Sequence, residues 1–334
     1  MKVGIIGTGF MGVTHAAGWA QTPAQICGFC AETTAEAAPL AKQYHSKIYT
    51  SIDEMLPEVD VVDLCTPTFL HAEQVEKAAR AGKDIICEKP LALDVQTAVE
   101  MLAVCQKMGV RLFVAHVVRF FPEYAKAKAI VDSGKIGRPG TIHLRRCNYR
   151  PKKTVGNWFL DEQKSGGLLL DLSVHDFDYA RWIAGDVKNV FSKKVSSMDP
   201  EAPIDYALTI LTHENGTLSH ITGGWAYPPP NFQTGFDINC DRGNIHWDSA
   251  ETDPVHVLIR TDQDSPDVGL VGSHLIESPY TTEIKEFYDA IQNHKEARVT
   301  SVDGMKAVQI AAAARKSAEC GEPVMIDSMK GEAA

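Results

Sequence analysis

The chain lacks three things, and each absence narrows what it can be. No stretch approaches the ~18 uninterrupted apolar residues that a membrane helix needs, so no membrane partner is expected. There is no surplus of positive charge. Over 334 residues the formal net charge is −10, and binding a phosphate backbone takes clustered Lys and Arg, so no nucleic acid partner is expected. The cysteines follow no disulfide framework. There are eight: Cys27, Cys30, Cys65, Cys87, Cys105, Cys147, Cys240 and Cys320. Cys27 and Cys30 have C-x-x-C spacing, but they sit in a strand-like run, where positions three apart point to opposite faces. A reduced, cytoplasmic protein that uses Cys as a small buried side chain accounts for all eight. The opening residues Met1–Gly7 run straight into a strand, without the charged lead, apolar segment and cleavage site of a secretion signal.

The composition is that of a globular chain: 44% hydrophobic and 23% charged, with a length that suits two domains. The first part alternates strands (Lys2–Ile6, Ile26–Cys30, Val59–Leu64, Ile85–Cys87, Leu112–Ala115) with helices. Ser51 and Glu54 have capping-box spacing, and Val95–Met108 is framed by Asp94 as cap and Gly109 as stop. Continuous Val, Ile, Leu and Cys in the strands predict a parallel sheet covered on both faces. The second part changes character. Helices are predicted over Glu123–Asp132 and Leu168–Ile183. Strands are predicted at Thr141–Arg146, Ala207–Leu211, Leu218–Thr222, Phe236–Cys240, Ile245–Trp247 and Val255–Ile259, with a hairpin signal at Asn215-Gly216. Helices over Thr282–Asn293 and Val302–Ala318 close the chain. The expected fold is an α/β Rossmann domain over residues 1–119, then an α+β domain over 120–334 with a large, mostly antiparallel open sheet.

Gly7-Thr8-Gly9-Phe10-Met11-Gly12 follows the first strand and opens a helix. In that context the first Gly permits the tight turn, the second lets the backbone approach a pyrophosphate, and the third lets helix and strand pack closely. The helix N-terminus adds N–H donors and partial positive charge. About twenty residues on, Glu32 is placed to bond the adenosine ribose. No Lys or Arg follows until Lys42, so NAD is favoured and NADP remains the alternative.

Further motifs extend this pattern: Cys65-Thr66-Pro67 with His71, Ala81-Gly82-Lys83, Cys87-Glu88-Lys89-Pro90-Leu91, Arg119-Phe120, and Gly166-Gly167-Leu168-Leu169-Leu170-Asp171-Leu172-Ser173-Val174-His175-Asp176. Taken in this order, they resemble the glucose–fructose oxidoreductase/inositol dehydrogenase (Gfo/Idh/MocA) family from residue 1 to about 325. The resemblance implies a two-domain NAD(P)-dependent oxidoreductase acting on a secondary alcohol of a sugar or cyclitol. It also implies a homodimer or homotetramer formed through the C-terminal sheet. In one respect the chain departs from the family pattern: the usual ribose acid falls at Ala31, with Glu32 one place later.

Oxidising an alcohol sends a hydride to the nicotinamide and a proton to a base. Asp171 and His175, four apart on a predicted helix, share a face, and an imidazole is the natural base near neutral pH. A neighbouring carboxylate favours its charged form. Lys89, just past a strand end where open parallel sheets place ligands, has an ammonium suited to the reacting oxygen. The resemblance assigns Lys89, Asp171 and His175 as catalytic and Asp178 as a substrate-contacting acid. Cofactor contacts are expected from Gly7, Gly9, Phe10, Met11, Gly12, Glu32, Thr66, Pro67, His71, Glu88 and Lys89. Arg119, Tyr149, Trp158, Tyr227 and Tyr280 are candidates for the substrate pocket. The acids Asp262, Asp264 and Asp267 lack the Gly and terminal Glu of a calcium loop, so no metal site is expected. The competing readings are an NAD-dependent glycoside-cleaving enzyme working by oxidation and elimination, and a non-catalytic cofactor-binding sensor.

Overall fold

A computed structural model describes residues 1–151, 158–197, 204–251 and 277–329. The predicted strand Val255–Ile259 and the acids Asp262, Asp264 and Asp267 lie outside the described residues. Contacts divide the chain into two units. The first is Met1–Phe120 with, among the described residues, 277–305; the second holds the described residues from Phe121 to 251 and 306–329. This division differs from a single cut at 119/120, because residues 277–305 return to the first unit.

In the first unit, β1 (Lys2–Ile6), β2 (Gln25–Cys30), β3 (Lys47–Tyr49), β4 (Val61–Leu64), β5 (Asp84–Glu88) and β6 (Leu112–Ala115) form a parallel sheet in the order β3-β2-β1-β4-β5-β6. Between them run α1 (Phe10–Trp19), α2 (Thr34–Gln43), α3 (Ile52–Met55), α4 (His71–Arg80) and α5 (Val95–Met108). The local signals act as expected. Asp94 accepts the Thr97 N–H at 2.8 Å, Ser51 accepts the Glu54 N–H at 3.3 Å, and Gly109 ends α5 in the left-handed region. The short edge strand β3 carried no sequence signal. A later helix, α10 (Pro279–Gln292), completes this unit against α1, where a Cβ on Gly18 would lie 3.1 Å from Ile284.

The second unit begins with α6 (Pro122–Asp132). Its sheet comprises β7 (Pro139–Asn148), β8 (Val187–Ser196), β9 (Asp205–His213), β10 (Leu218–Trp225), β11 (Gln233–Cys240), β12 (Gly243–Asp248) and β13 (Val324–Met325), in the order β12-β11-β7-β10-β9-β8-β13. Among the described residues, every pairing is antiparallel except that of β7 with β10. Asn215-Gly216 makes the β9–β10 hairpin, with Gly216 at φ +89°. One face packs on α8 (Gly167–Asp171) and α9 (Val174–Ala184), which follow α7 (Glu162–Ser165). The other face leaves Val195, Tyr206, Leu208, Ile210 and Leu218 exposed. The last long helix, α11 (Ser301–Cys320), carries Thr300 as the cap that accepts the Asp303 N–H.

One predicted element is corrected. The helix expected over Leu168–Ile183 is two helices, α8 and α9, broken at Leu172-Ser173. There the Ser173 N–H reaches five residues back to the Leu168 carbonyl at 3.0 Å, so the ladder slips. The cause is tertiary: a Cβ on Gly223 of β10 would stand 2.3 Å from the Ser173 hydroxyl, so the break seats Ser173 directly on the sheet backbone.

Candidate active site

The glycine loop is built for close approach. Gly7 sits at φ +93°, and a Cβ there would lie 2.4 Å from the Cys65 carbonyl oxygen. A Cβ on Gly12 would lie 2.0 Å from the Gly7 oxygen, so the third glycine sets how tightly α1 packs on the strand end. Gly9 is different. A Cβ there would meet nothing within 4 Å, so its lack of a side chain serves no contact inside the protein. It caps α1 without a side-chain hydrogen bond. These features fit a pyrophosphate. Glu32 is exposed just past the end of β2.

The neighbouring strand ends carry the rest of this edge. β1, β4 and β5 are adjacent, with Ile6 paired to Leu64 and Leu64 to Cys87. The Gly7 loop, the Thr66-Pro67 turn and the Glu88-Lys89-Pro90 turn therefore lie side by side at the carboxyl end of the sheet. Thr66 is half-buried and donates its hydroxyl to Gln74 at 2.6 Å. Lys89 is half-buried, and the Lys89–Pro90 peptide is cis.

Two cofactor expectations change here. His71 is fully buried: Nδ1 lies 3.0 Å from the Pro90 carbonyl oxygen and Nε2 2.9 Å from that of Thr66. Burial lowers its pKa against the pull of those carbonyls. It is a brace joining the two turns and presents no atom to a ligand. Glu88 turns its carboxylate inward: Oε2 accepts the Lys89 N–H at 3.0 Å, and Oε1 stands 3.0 Å from His15 Nε2.

Sequence reasoning missed this buried group. His15 Nδ1 lies 3.0 Å from both oxygens of Asp63, which also accepts the Trp19 indole N–H at 2.7 Å and the Cys65 thiol at 3.6 Å. Burial alone works against a charged imidazole, yet the Asp63 charge and hydrogen bond hold His15 well above its ordinary pKa. Glu283 of α10 is also fully buried, and desolvation pushes its carboxyl well above the usual range, with Glu88 and Asp63 adding to this against the pull of His15. The available signal was Asp63 itself, a single charge inside the apolar strand Val61-Val62-Asp63-Leu64. His15, Asp63 and Cys65 bring their ligand atoms within 4.8 Å of one another, as metal ligands do. Here the contacts to Asp63 run through the protons of Trp19 and Cys65.

Arg119 is also corrected. It is 2% exposed, donates to the Arg298 carbonyl at 2.9 Å and pairs with Asp303 at 3.2 Å. Arg298 donates back to the Arg119 carbonyl at 2.9 Å. The guanidinium ties the turn after β6 to the segment between α10 and α11. Tyr280 is half-buried at the start of α10.

In the second unit, Asp171 is buried at the end of α8, His175 is half-buried in the first turn of α9, and Asp178 is fully buried one turn later. The helix break means that Asp171 and His175 are not an i,i+4 pair on one ladder. Asp176, which the sequence reading passed over, fixes α9. Both its oxygens bond Arg146 of β7, at 2.9 and 3.0 Å, in a fully buried fork. Tyr149 is buried in the core, Tyr227 is half-buried, and Trp158 is half-buried and stacks on Phe159 with centroids 4.0 Å apart.

A parallel doubly wound sheet, a glycine loop opening its first helix and a lysine turn beside that loop together define a nicotinamide-dinucleotide oxidoreductase. The chain belongs to the Gfo/Idh/MocA family. Residues 1–116 match the oxidoreductase family model with an NAD-binding Rossmann fold, and residues 124–246 match the Gfo/Idh/MocA C-terminal domain. The chain is 31% identical to the uncharacterized oxidoreductase YrbE of Bacillus subtilis, over 97% of this chain and 96% of that one. It is 28% identical to the myo-inositol 2-dehydrogenase of Thermotoga maritima, over 99% and 100% of the two chains. The crystal structure of a probable dehydrogenase from Thermotoga maritima superposes with a TM-score of 0.83 at 26% identity, covering 98% of this chain and 100% of that one. Among the described residues, no helix is long and apolar enough to cross a membrane.

Proposed function

We propose that the protein oxidises a secondary alcohol of a sugar or cyclitol, or runs the reverse reduction. The observation that carries this reading is Lys89, half-buried on a turn at the carboxyl end of β5, beside the glycine loop. The similarity to the myo-inositol 2-dehydrogenase of Thermotoga maritima supports the substrate class. Bound NAD supplies the hydride acceptor. The chain's own residues handle the proton. The His175 imidazole takes it from the substrate hydroxyl, with Asp171 favouring the charged ring. Lys89 Nζ donates to the same oxygen and stabilises the negative charge that develops there. Trp158 and Tyr280, both half-buried, are the remaining substrate contacts in this reading. Glu32, with no nearby cation, favours NAD over NADP.

A panel of cyclitols and aldoses with NAD and NADP, followed by absorbance of the reduced cofactor, tests the proposal. Reduced cofactor is expected with at least one cyclitol or sugar. Tight NAD binding with no turnover across the panel would overturn the reading. The exposed row Tyr206, Leu208 and Ile210, with Val195 and Leu218 on the adjacent strands, supports a homodimer or homotetramer through the open sheet face. The eight free thiols support a reduced, cytoplasmic setting.

A further inference from the structure

Among the ionisable side chains that the first unit buries and the proposed reaction does not use directly are His15 on α1, Asp63 on β4, Glu88 at the end of β5 and Glu283 on α10. Taking charges out of water is costly unless they are paired, so the arrangement needs a reason. Asp63 is fully engaged. Its two oxygens face His15 Nδ1 at 3.0 Å and also receive Trp19 at 2.7 Å and Cys65 at 3.6 Å. This holds the imidazole by one edge. The opposite nitrogen, Nε2, then stands 3.0 Å from Glu88 Oε1. That contact lacks the alignment of a hydrogen bond, so its pull is Coulombic. Glu88 has one oxygen left, and Oε2 accepts the backbone N–H of Lys89 at 3.0 Å. The chain of contacts Asp63–His15–Glu88–Lys89 therefore runs from the centre of the sheet to the turn beside the glycine loop. It passes through the helix whose N-terminus forms the other wall of that loop.

We propose that His15 is a positioning residue for Lys89: lodged between Asp63 and Glu88, it fixes the Glu88 carboxylate that holds the Lys89 main chain, and so ties the lysine turn to helix α1. The proposal rests on the reading of Lys89 given above. The directions fit the role: the Asp63 charge raises the His15 pKa against burial, and burial raises that of Glu283. Glu283 has neither oxygen hydrogen-bonded.

Amide hydrogen exchange, resolved to single residues by fragmentation mass spectrometry, tests the proposal without any substrate, so its outcome is independent of the activity panel. In the wild-type protein the Lys89 amide should exchange at least about tenfold more slowly than in an unstructured chain. His15→Phe keeps the ring volume and removes the contact to Glu88. It should speed Lys89 exchange about tenfold or more while the β4 and β5 amides change little. His15→Gln keeps a donor for Asp63 but cannot charge-pair with Glu88, and serves if the Phe variant fails to fold. Val62→Ala loosens β4 without touching the carboxylates and marks what a merely structural loss looks like: Lys89 and the strand amides accelerate together. On any substrate the panel identifies, His15→Gln should lower kcat about 10- to 100-fold with KM nearly unchanged, as misplacement of a reacting group does. An unprotected Lys89 amide in the wild type overturns the proposal. So does a folded His15 variant in which Lys89 exchange is unchanged or rises only in step with the strands.

Discussion

In the six-stranded sheet, β4 and β6 are buried at every residue, whereas in the seven-stranded sheet β9 alternates buried and exposed positions from Asp205 to His213. A sheet covered on both faces has only its strand ends to offer a ligand. The glycine loop, the Thr66 turn and the Lys89 turn all gather there. A sheet covered on one face has a whole surface left over, and here that surface carries Tyr206, Leu208 and Ile210 in the open. Charge follows the same division. The first unit buries the His15–Asp63–Glu88 set beneath its working edge, while the second spends its buried fork, Arg146 with Asp176, on anchoring one helix.

The strongest way to break this comparison is to remove the proton-handling groups. Lys89→Met and His175→Ala should each lower kcat by about two or more orders of magnitude, while NAD binding measured by fluorescence stays within a few-fold of wild type. Near-normal turnover in both would mean that the strand-end turn and α9 do not carry the chemistry. Next in size is the anchor. Asp176→Ala removes both carboxylate bonds from the buried Arg146 and should cost about 3–5 kcal/mol in denaturant unfolding. A loss below ~1 kcal/mol would show that the fork is dispensable.

The glycines sharpen the contrast between packing and ligand approach. Gly12→Ala forces a Cβ to within 2.0 Å of the Gly7 oxygen and should cost stability, about 1–3 kcal/mol, together with NAD affinity. Gly9→Ala meets no neighbour, so stability should hold within about 0.5 kcal/mol while NAD affinity falls about tenfold or more, because the added methyl occupies the space the pyrophosphate needs. Equal NAD affinity in wild type and Gly9→Ala would contradict the cradle.

A smaller effect depends on pH. An unfolded chain releases the Glu283 proton near the ordinary value of about 4.3, whereas burial keeps it bound to well above that in the folded chain. Between those values the folded state binds more protons, so stability falls as pH rises. Glu283→Gln removes this penalty. Its gain in Tm over wild type should be larger at about pH 8 than at about pH 5, and a gain independent of pH would refute the neutral carboxyl. The smallest change in stability is expected on the open face. Leu208→Glu with Ile210→Lys should leave Tm nearly unchanged, since exposed substitutions shift stability by about 0.5 kcal/mol or less, yet convert the proposed oligomer to monomers in sedimentation. An unaltered oligomer would place the subunit contact elsewhere.

What could be read from the sequence follows from how local each signal is. β1, α5 and β6 were predicted to the residue because continuous apolar runs and caps such as Asp94 and Gly109 lie within the element itself. The break at Leu172-Ser173 left no trace, since Leu-Leu-Leu-Asp-Leu-Ser-Val holds no Gly or Pro, and its cause is a glycine on a distant strand. β8 was not predicted; Lys188, Lys193 and Lys194 along it interrupt the apolar alternation that marks a strand. The glycine loop and Lys89 stood out because each sits in a motif. His15 was passed over because its partners, Asp63 and Glu88, lie 48 and 73 positions away along the chain. Arg119 and His71 were read as ligand contacts because a sequence does not show which way a side chain turns.

Helix α10 has a consequence for how the protein is made. It lies on α1 across Gly18 and brings Glu283 into the buried cluster, yet it begins only at Pro279. A ribosome that has delivered the first 120 residues has therefore produced every strand of the nucleotide sheet but not the helix that seals its opening helix. The nascent domain must wait, with that flank bare, while the whole intervening unit is synthesised, and a fragment cut at residue 120 would carry the same exposed apolar flank permanently.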